Sequence, residues 1–348
     1  MPNGHCWSGV SGRTDMDRGI RPLNVTLLTL LVTATISGVV AFGVGFPGPA
    51  RWVVAVHGAS GLGLLLLAPA KIRVARRGLR RTGRSRKVIG LTFTVLVLAA
   101  IGSGLLHAVG GWRPYLGLLP MQLHVGAAVG AMVLLVAHVV MHHRSAHHRW
   151  RPLLRRTDLT RRRALLGTGV AVGSAGLWVI APGLPRRETG SHEVGSGNIA
   201  IVPVTQWMFD PVPQIAAAAW RLRTPDRSFD LAAIAALPQG TVRAVLDCTG
   251  GWFTEQEWRG VPLSALGLPE GASIEIVSTT GYRRRFPARE AETLLLATHA
   301  SGRPLSSGHG GPARIVAPGR RGFWWVKWVT SIEVIDEPWW WQPPFPLQ

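Results

Sequence analysis

The pattern of apolar and polar positions divides the chain near residue 190. Before it lie five long apolar runs, 23–46, 52–70, 88–109, 121–141 and 164–182, dominated by Leu, Val, Ala and Gly and free of Asp and Glu. A helix of about 20 residues crosses the roughly 30 Å of bilayer hydrocarbon, so each run is long enough to span. They predict a multi-pass α-helical membrane domain, a bundle of five spans over residues 23–182, behind a polar N-terminus of residues 1–22. After residue 200 the runs shorten. Stretches at 199–204, 220–223, 241–247, 273–278, 314–316, 324–329 and 331–335 have β-type character between turn signals, and 230–237 and 288–298 read as helices. Residues 201–348 therefore predict a mixed α/β domain in which strands dominate. Residues 183–200, rich in Pro, Gly and Ser, read as a tether.

Charge changes the picture next. The 348 residues carry a formal net charge of +20, which by itself would suit a nucleic-acid binder. Residues 1–190 hold 24 Lys/Arg against 4 Asp/Glu, while residues 191–348 hold 14 of each. The excess therefore alternates with the apolar runs, which excludes a uniformly basic nucleic-acid surface and points to a lipid bilayer as the partner. Nine Lys/Arg lie in residues 71–87 and eight arginines in residues 144–163, whereas the turns at 46–51 and 110–120 hold one each. Positive residues stay cytoplasmic. The N-terminus is accordingly expected inside and the C-terminal domain in the periplasm or cell exterior, with the chain in the cytoplasmic membrane. Thr160, Arg161, Arg162 and Arg163, followed by Ala164, Leu165, Leu166 and Gly167, resemble a twin-arginine export signal. Such signals are associated with domains exported already folded around a cofactor.

Ionisable residues inside spans point to function by default. In the expected topology, His57, His107 and His124 share one membrane depth near the outer face. Two imidazoles from facing helices are what a b-type haem requires. His57 and His124 are the candidate haem-iron ligands, with His107 as the substitute; packing histidines are the plainer reading. Gly58, Gly61, Gly63, Gly126 and Gly130 would leave room for the flat macrocycle.

The two cysteines, Cys6 and Cys248, provide neither a disulfide framework nor a zinc cluster. A lone thiol in an exported domain calls for a reason, and the residues around it carry one. Leu246, Asp247, Cys248, Thr249, Gly250, Gly251 and Trp252, then Trp258, Arg259, Gly260, Val261, Pro262 and Leu263, resemble the molybdenum-binding core of the sulfite oxidase family. Its bacterial periplasmic members include methionine sulfoxide reductase catalytic subunits. A second stretch from Gly308 to Gly319, containing His309 and Arg314, and a third, Trp325, Val326, Lys327, Trp328 and Val329, resemble further family signatures in the family's order. Residues 1–183 resemble cytochrome b-like membrane domains in outline. The family resemblance implies that Cys248 ligates molybdenum beside the two sulfurs of a pyranopterin dithiolene. A soft thiolate suits such a centre. It also implies that His309, Arg314 and Lys327 contact molybdopterin, mainly at its phosphate. Residues 281–286, with Arg283, Arg284 and Arg285, read equally as a solvated basic turn or as a hairpin near the substrate opening.

These readings lead to a molybdopterin-dependent oxidoreductase anchored in the membrane. It is expected to transfer an oxygen atom to or from a small oxyanion or sulfoxide-type substrate, and to exchange electrons through haem b with the quinone pool or another redox partner. Two alternatives stay open at this level: an enzyme whose membrane part is only an anchor without haem, and a non-catalytic binding module on the same fold.

Overall fold

The computed structural model describes residues 11–79, 83–145, 161–180, 186–206 and 211–343. Two compact units emerge, Met1–Val40 with Trp52–Leu184, and Ala41–Arg51 with Pro185–Gln348.

The first unit is built from five helices, α1 (Ser11–Gly43), α2 (Pro47–Leu79), α3 (Arg84–Gly110), α4 (Pro120–Ser145) and α5 (Arg161–Ile180), apart from the end of α1 and the start of α2, which fall in Ala41–Arg51. Four of them contain stretches long and apolar enough to cross a membrane, Leu23–Gly43, Pro47–Arg76, Lys87–Gly110 and Pro120–Ala137. The fifth expected span is helical, but its apolar stretch, Leu166–Ile180, is shorter. Large apolar side chains such as Val129, Val133 and Val136 point outward from α4, an arrangement that favours hydrocarbon over water. The buried hydroxyls of Ser37, Ser60, Ser103 and Ser174 each donate to the carbonyl four residues earlier, so these hydroxyls are satisfied without water. Cys6 and Thr160, the latter at the head of the twin-arginine-like stretch, lie outside the described residues.

The glycines flanking the histidines serve helix contacts as well as open space. A Cβ on Gly58 would lie 2.3 Å from the Trp178 ring of α5, and one on Gly63 would press on Leu30 and Ser174. Gly130 receives Leu96, while Gly61 and Gly126 face open space.

The second unit contains two sheets. In the first, β1 (His192–Glu193), β5 (Trp252–Pro262), β8 (Leu295–Ala300) and β10 (Arg314–Val316) lie in that order, with β4 (Gly240–Cys248) paired to β5 and β9 (Arg303–Pro304) to β8. In the second the order is β3 (Ser228–Phe229), β2 (Leu222–Arg223), β11 (Val329–Ile335), β6 (Ser273–Ser278) and β7 (Arg283–Pro287). The core buries Trp220, Trp258, Ile276, Phe286, Leu296 and Ile332. Two of the buried indoles have their N–H bonded: Trp220 donates to the Val329 carbonyl at 2.8 Å and Trp325 to that of Arg320 at 3.0 Å. The short helix α6 (Leu231–Ala236) starts at Asp230, whose carboxylate caps the Ala233 N–H at 2.8 Å.

Several expectations are corrected here. Residues 288–298 are not a helix: a single 3-10 turn, Ala288–Glu290, is followed by β8. Leu294, Leu295, Leu296 and Ala297 are all buried because β8 lies between β5 and β10. A strand covered on both faces shows a continuous apolar run rather than alternation, and such a run cannot be told from a buried helix by periodicity. Residues 324–327 belong to a turn, Gly322–Trp324, and irregular chain, while Ile199–Ile201 is a 3-10 turn. Strand β5, the longest in the unit, went unread because Glu255, Glu257 and Arg259 break its apolar content. Residues 186–200 are more than a tether. Strand β1 pairs in parallel with β5, and Ser191 is completely buried.

Gly260 marks the tightest backbone approach in the first sheet. A Cβ there would come within 2.0 Å of the Leu296 carbonyl oxygen and 2.6 Å of the Ala297 Cα, where the β5–β8 register shifts. Neither contact is a flexible side chain. Gly260→Ala is expected to destabilise the second unit by roughly 1–3 kcal/mol or more, seen as a lower denaturant midpoint by tryptophan fluorescence.

Candidate functional site

Strand β4 delivers Cys248 to its last position, opposite Trp252 of β5. The turn between them, Thr249, Gly250 and Gly251, closes with Gly251 at φ +90°, a conformation that favours glycine. The turn carries the Gly250 N–H to within 3.3 Å of the Cys248 Sγ, and the Thr205 hydroxyl approaches the same sulfur at 3.4 Å.

Alternation along β4 sends the preceding side chain the other way. Asp247 is 1% exposed, and its two oxygens accept from the Ser191 and Thr189 hydroxyls, each at 2.7 Å. Arg187 Nε stands 3.4 Å and an Arg321 nitrogen 3.8 Å from the same carboxylate. This network ties the 187–192 segment and the Arg321 turn to the end of β4. Gly322 completes it by lying against the Cys248 Cα, where a Cβ would be 3.2 Å away.

Arg314, on β10, is fully buried. Its guanidinium lies 5.2 Å from the Trp258 ring centre and 5.7 Å from that of Trp325. It donates to the carbonyls of His309 at 3.0 Å and Trp325 at 3.3 Å, while its Nε has no hydrogen-bond partner among the described residues. Lys327 donates to the carbonyls of Thr205 at 2.9 Å and Gly308 at 2.8 Å, leaving one ammonium N–H over. Gly310, at φ +98°, permits both to approach: a Cβ there would meet Lys327 at 3.0 Å and Arg314 at 3.1 Å. Among the described residues neither cation has a carboxylate within ion-pair distance.

Electrostatics ties these groups to one another. Burial pushes the Arg314 guanidinium down to about 10, opposed by the Cys248 sulfur. Burial, and then the charge of Arg314, pushes Lys327 down to about 7, again opposed by Cys248. Burial lowers Arg321 too, with Asp247 and Cys248 pulling upward. His309 is lowered mainly by burial, with the Val202 carbonyl opposing and Arg314 and Lys327 adding to the fall. Its neutral ring is fully engaged: Nε2 donates to the Val202 carbonyl at 3.0 Å, which leaves Nδ1 to accept from the Ser306 hydroxyl at 2.8 Å.

The fold thus brings together Cys248, His309, Arg314 and Lys327, the four positions singled out by the motifs. It adds Thr205, Asp247 and Arg321. Asp247 and Arg321 stand beside motif residues, whereas Thr205, 43 positions before the cysteine, carries no local signal. In the basic turn Arg283 is half exposed and 3.6 Å from Glu275, whereas the next two arginines are tied down. Arg284 is buried, donating to the Tyr282 hydroxyl at 2.9 Å and the Pro343 carbonyl at 2.7 Å, and Arg285 pairs with Glu275 at 2.7 Å.

The first unit holds its own pair. His57 of α2 and His124 of α4 have ring centres 5.6 Å apart with planes at 85°. His57 Nδ1 donates to the Ala34 carbonyl at 2.8 Å and His124 Nδ1 to that of Ala100 at 2.7 Å. Gly38 and Gly104 seat the rings, since a Cβ would lie 3.1 Å from His57 and 3.0 Å from His124. His107 is buried in α3.

Residues 209–341 match the family described as the oxidoreductase molybdopterin binding domain. Among solved structures, the chain is similar to the sulfane dehydrogenase SoxCD from Paracoccus pantotrophus, at 28% identity and a TM-score of 0.34, over 36% of this chain and 40% of that one. The chain thus spans less than half the length of that relative. No curated protein matches. Residues 209–341 thus carry the match to an oxidoreductase molybdopterin binding domain.

The residues fit that cofactor. A thiol at a strand end, a buried arginine nitrogen without a partner and an ammonium proton to spare are what a metal ligand and a phosphate dianion call for. Lys327 also provides a test in the protein alone. The unfolded chain keeps this lysine protonated to near 10.5, whereas the folded chain releases the proton near 7. Between those values the unfolded state binds more protons, so folded stability rises with pH through the window; below it the penalty is fully present. In protein from cells unable to make molybdopterin, wild type is expected to gain stability relative to Lys327→Met as pH rises through this window. The denaturant midpoints of the two proteins across that range check it.

Proposed function

We propose that this protein is a membrane-anchored molybdenum-cofactor oxidoreductase that transfers an oxygen atom to or from a sulfite- or sulfoxide-type substrate. One observation carries the reading: a buried arginine and a half-buried lysine, neither with a carboxylate partner among the described residues, gather near Cys248 at the end of a strand. Burying a charge without a counterion is costly, and an anionic ligand supplies the counterion. In this reading Cys248 ligates the molybdenum, and Arg314 Nε and the spare Lys327 proton hold the cofactor phosphate. His309 contacts the cofactor region indirectly, by holding Val202 and Ser306 in place. The bound molybdenum supplies the two-electron chemistry, while the protein's part is to hold it and exclude water. Cys248→Ser is expected to leave the tryptophan fluorescence of the fold intact while abolishing turnover of sulfite and sulfoxides. Unchanged activity would refute the reading.

The outward-facing apolar side chains of the helices support membrane anchoring. Five crossings, the fifth through α5, with a cytoplasmic N-terminus and an exported second unit, follow from the placement of the arginines. For electron exchange with the quinone pool or another redox partner we favour haem b held by His57 and His124. Each ring donates from Nδ1 to a carbonyl, which fixes the tautomer and leaves the Nε2 lone pair for a metal, as metal-ligating histidines require. With iron–nitrogen bonds of about 2.0–2.1 Å, taking imidazole–metal distances as the guide, two imidazoles on opposite sides of one ion need ring centres roughly 6 Å apart. The observed 5.6 Å is close to that separation. When bound, the haem passes single electrons. Purified protein is expected to show reduced b-type absorption bands, lost in both His57→Ala and His124→Ala. Bands that survive either substitution would exclude this ligand pair.

A further inference from the structure

The chain from Val202 to Thr205 lies beside the cysteine and is fixed by the residues that the motifs single out. His309 Nε2 donates to the Val202 carbonyl at 3.0 Å, and Lys327 Nζ to the Thr205 carbonyl at 2.9 Å. The Val204 side chain sits on Gly308, where a Cβ would be 2.6 Å from it. Thr205 is thereby held with its hydroxyl 3.4 Å from the Cys248 sulfur. The Gly250 N–H reaches the same sulfur from the far side of the turn at 3.3 Å. A metal-bound thiolate only accepts hydrogen bonds, so the Thr205 hydroxyl must be the donor.

We infer that Thr205 is a positioning residue that tunes the reduction potential of the metal held by Cys248. This rests on the proposal that Cys248 ligates molybdenum. A hydrogen bond to a ligating sulfur draws electron density away from the metal–sulfur bond and favours the reduced metal; hydrogen bonding around thiolate ligands is one of the means by which proteins set such potentials. Gly250 donates from the backbone, where only a turn-disrupting proline would remove the N–H. Thr205 is the donor that evolution or an experiment can change. His309 and Lys327 acquire a second role here, since together they hold the segment that presents the hydroxyl.

The test is an EPR-monitored redox titration of full-length, molybdenum-loaded protein. Thr205→Val keeps the side-chain shape and removes the donor. It is expected to shift the molybdenum midpoint to lower potential and to move the sulfur-to-metal absorption band, while Thr205→Ser restores both. Thr205→Ala provides a second donor-free variant if valine does not load. Loaded donor-free protein with wild-type midpoint and absorption would overturn the inference and leave the cofactor assignment standing. Wild-type protein that binds no molybdenum would overturn both.

Discussion

The buried guanidinium of Arg314 constrains much of what surrounds it. A charge enclosed between Trp258 and Trp325, without a carboxylate in reach among the described residues, needs other compensation. Part comes from the two aromatic faces and from the carbonyls of His309 and Trp325. The remainder falls to the electronegative groups that the fold leaves nearby, of which the Cys248 sulfur is the one the electrostatics identifies. The same need shapes the neighbourhood. Gly310 lacks a side chain so that Arg314 and Lys327 can approach each other, and the Lys327 ammonium gives up its proton more readily because it is removed from water and, after that, because Arg314 is charged. A site of this kind is poorly balanced until an anion enters, which is a physical basis for binding rather than a defect of packing.

Asp247 plays the opposite part on the other side of the same strand. Its carboxylate is satisfied by two hydroxyls and two guanidinium groups. These contacts tie down the end of β4, one residue before the cysteine. The network also explains why residues 187–192 fold against the domain. Thr189 and Ser191 are drawn in by a buried carboxylate that would otherwise lack partners.

In the helical unit, chemistry is confined to few side chains because the surroundings are apolar. Serine hydroxyls turn back onto their own helices, and His57 and His124 turn their Nδ1 protons onto carbonyls of α1 and α3. The glycines divide the work. Gly38 and Gly104 seat the imidazoles, whereas Gly58 accommodates Trp178.

Much of this was legible in the linear chain. Long apolar runs report helices directly, since a span must be apolar over its length, and four of the five meet the required length. The positions of Cys248, His309, Arg314 and Lys327 were readable because each stands in a short motif whose spacing reflects a local turn. Other features depend on residues far apart in the chain. Strand β8 read as a helix because burial on both faces erases alternation, and β5 was hidden by the charged residues on its exposed positions. Thr205 and the 187–192 segment reach the site only through the pairing of β1 with β5 and the bonds to His309, Lys327 and Asp247. Sequence alone picked out the candidate residues for chemistry, because reactivity belongs to residue type and local turn. Tertiary structure decided which of them are buried together, which charges lack a counterion and which hydroxyl meets the sulfur, because those depend on distances that only the folded chain sets.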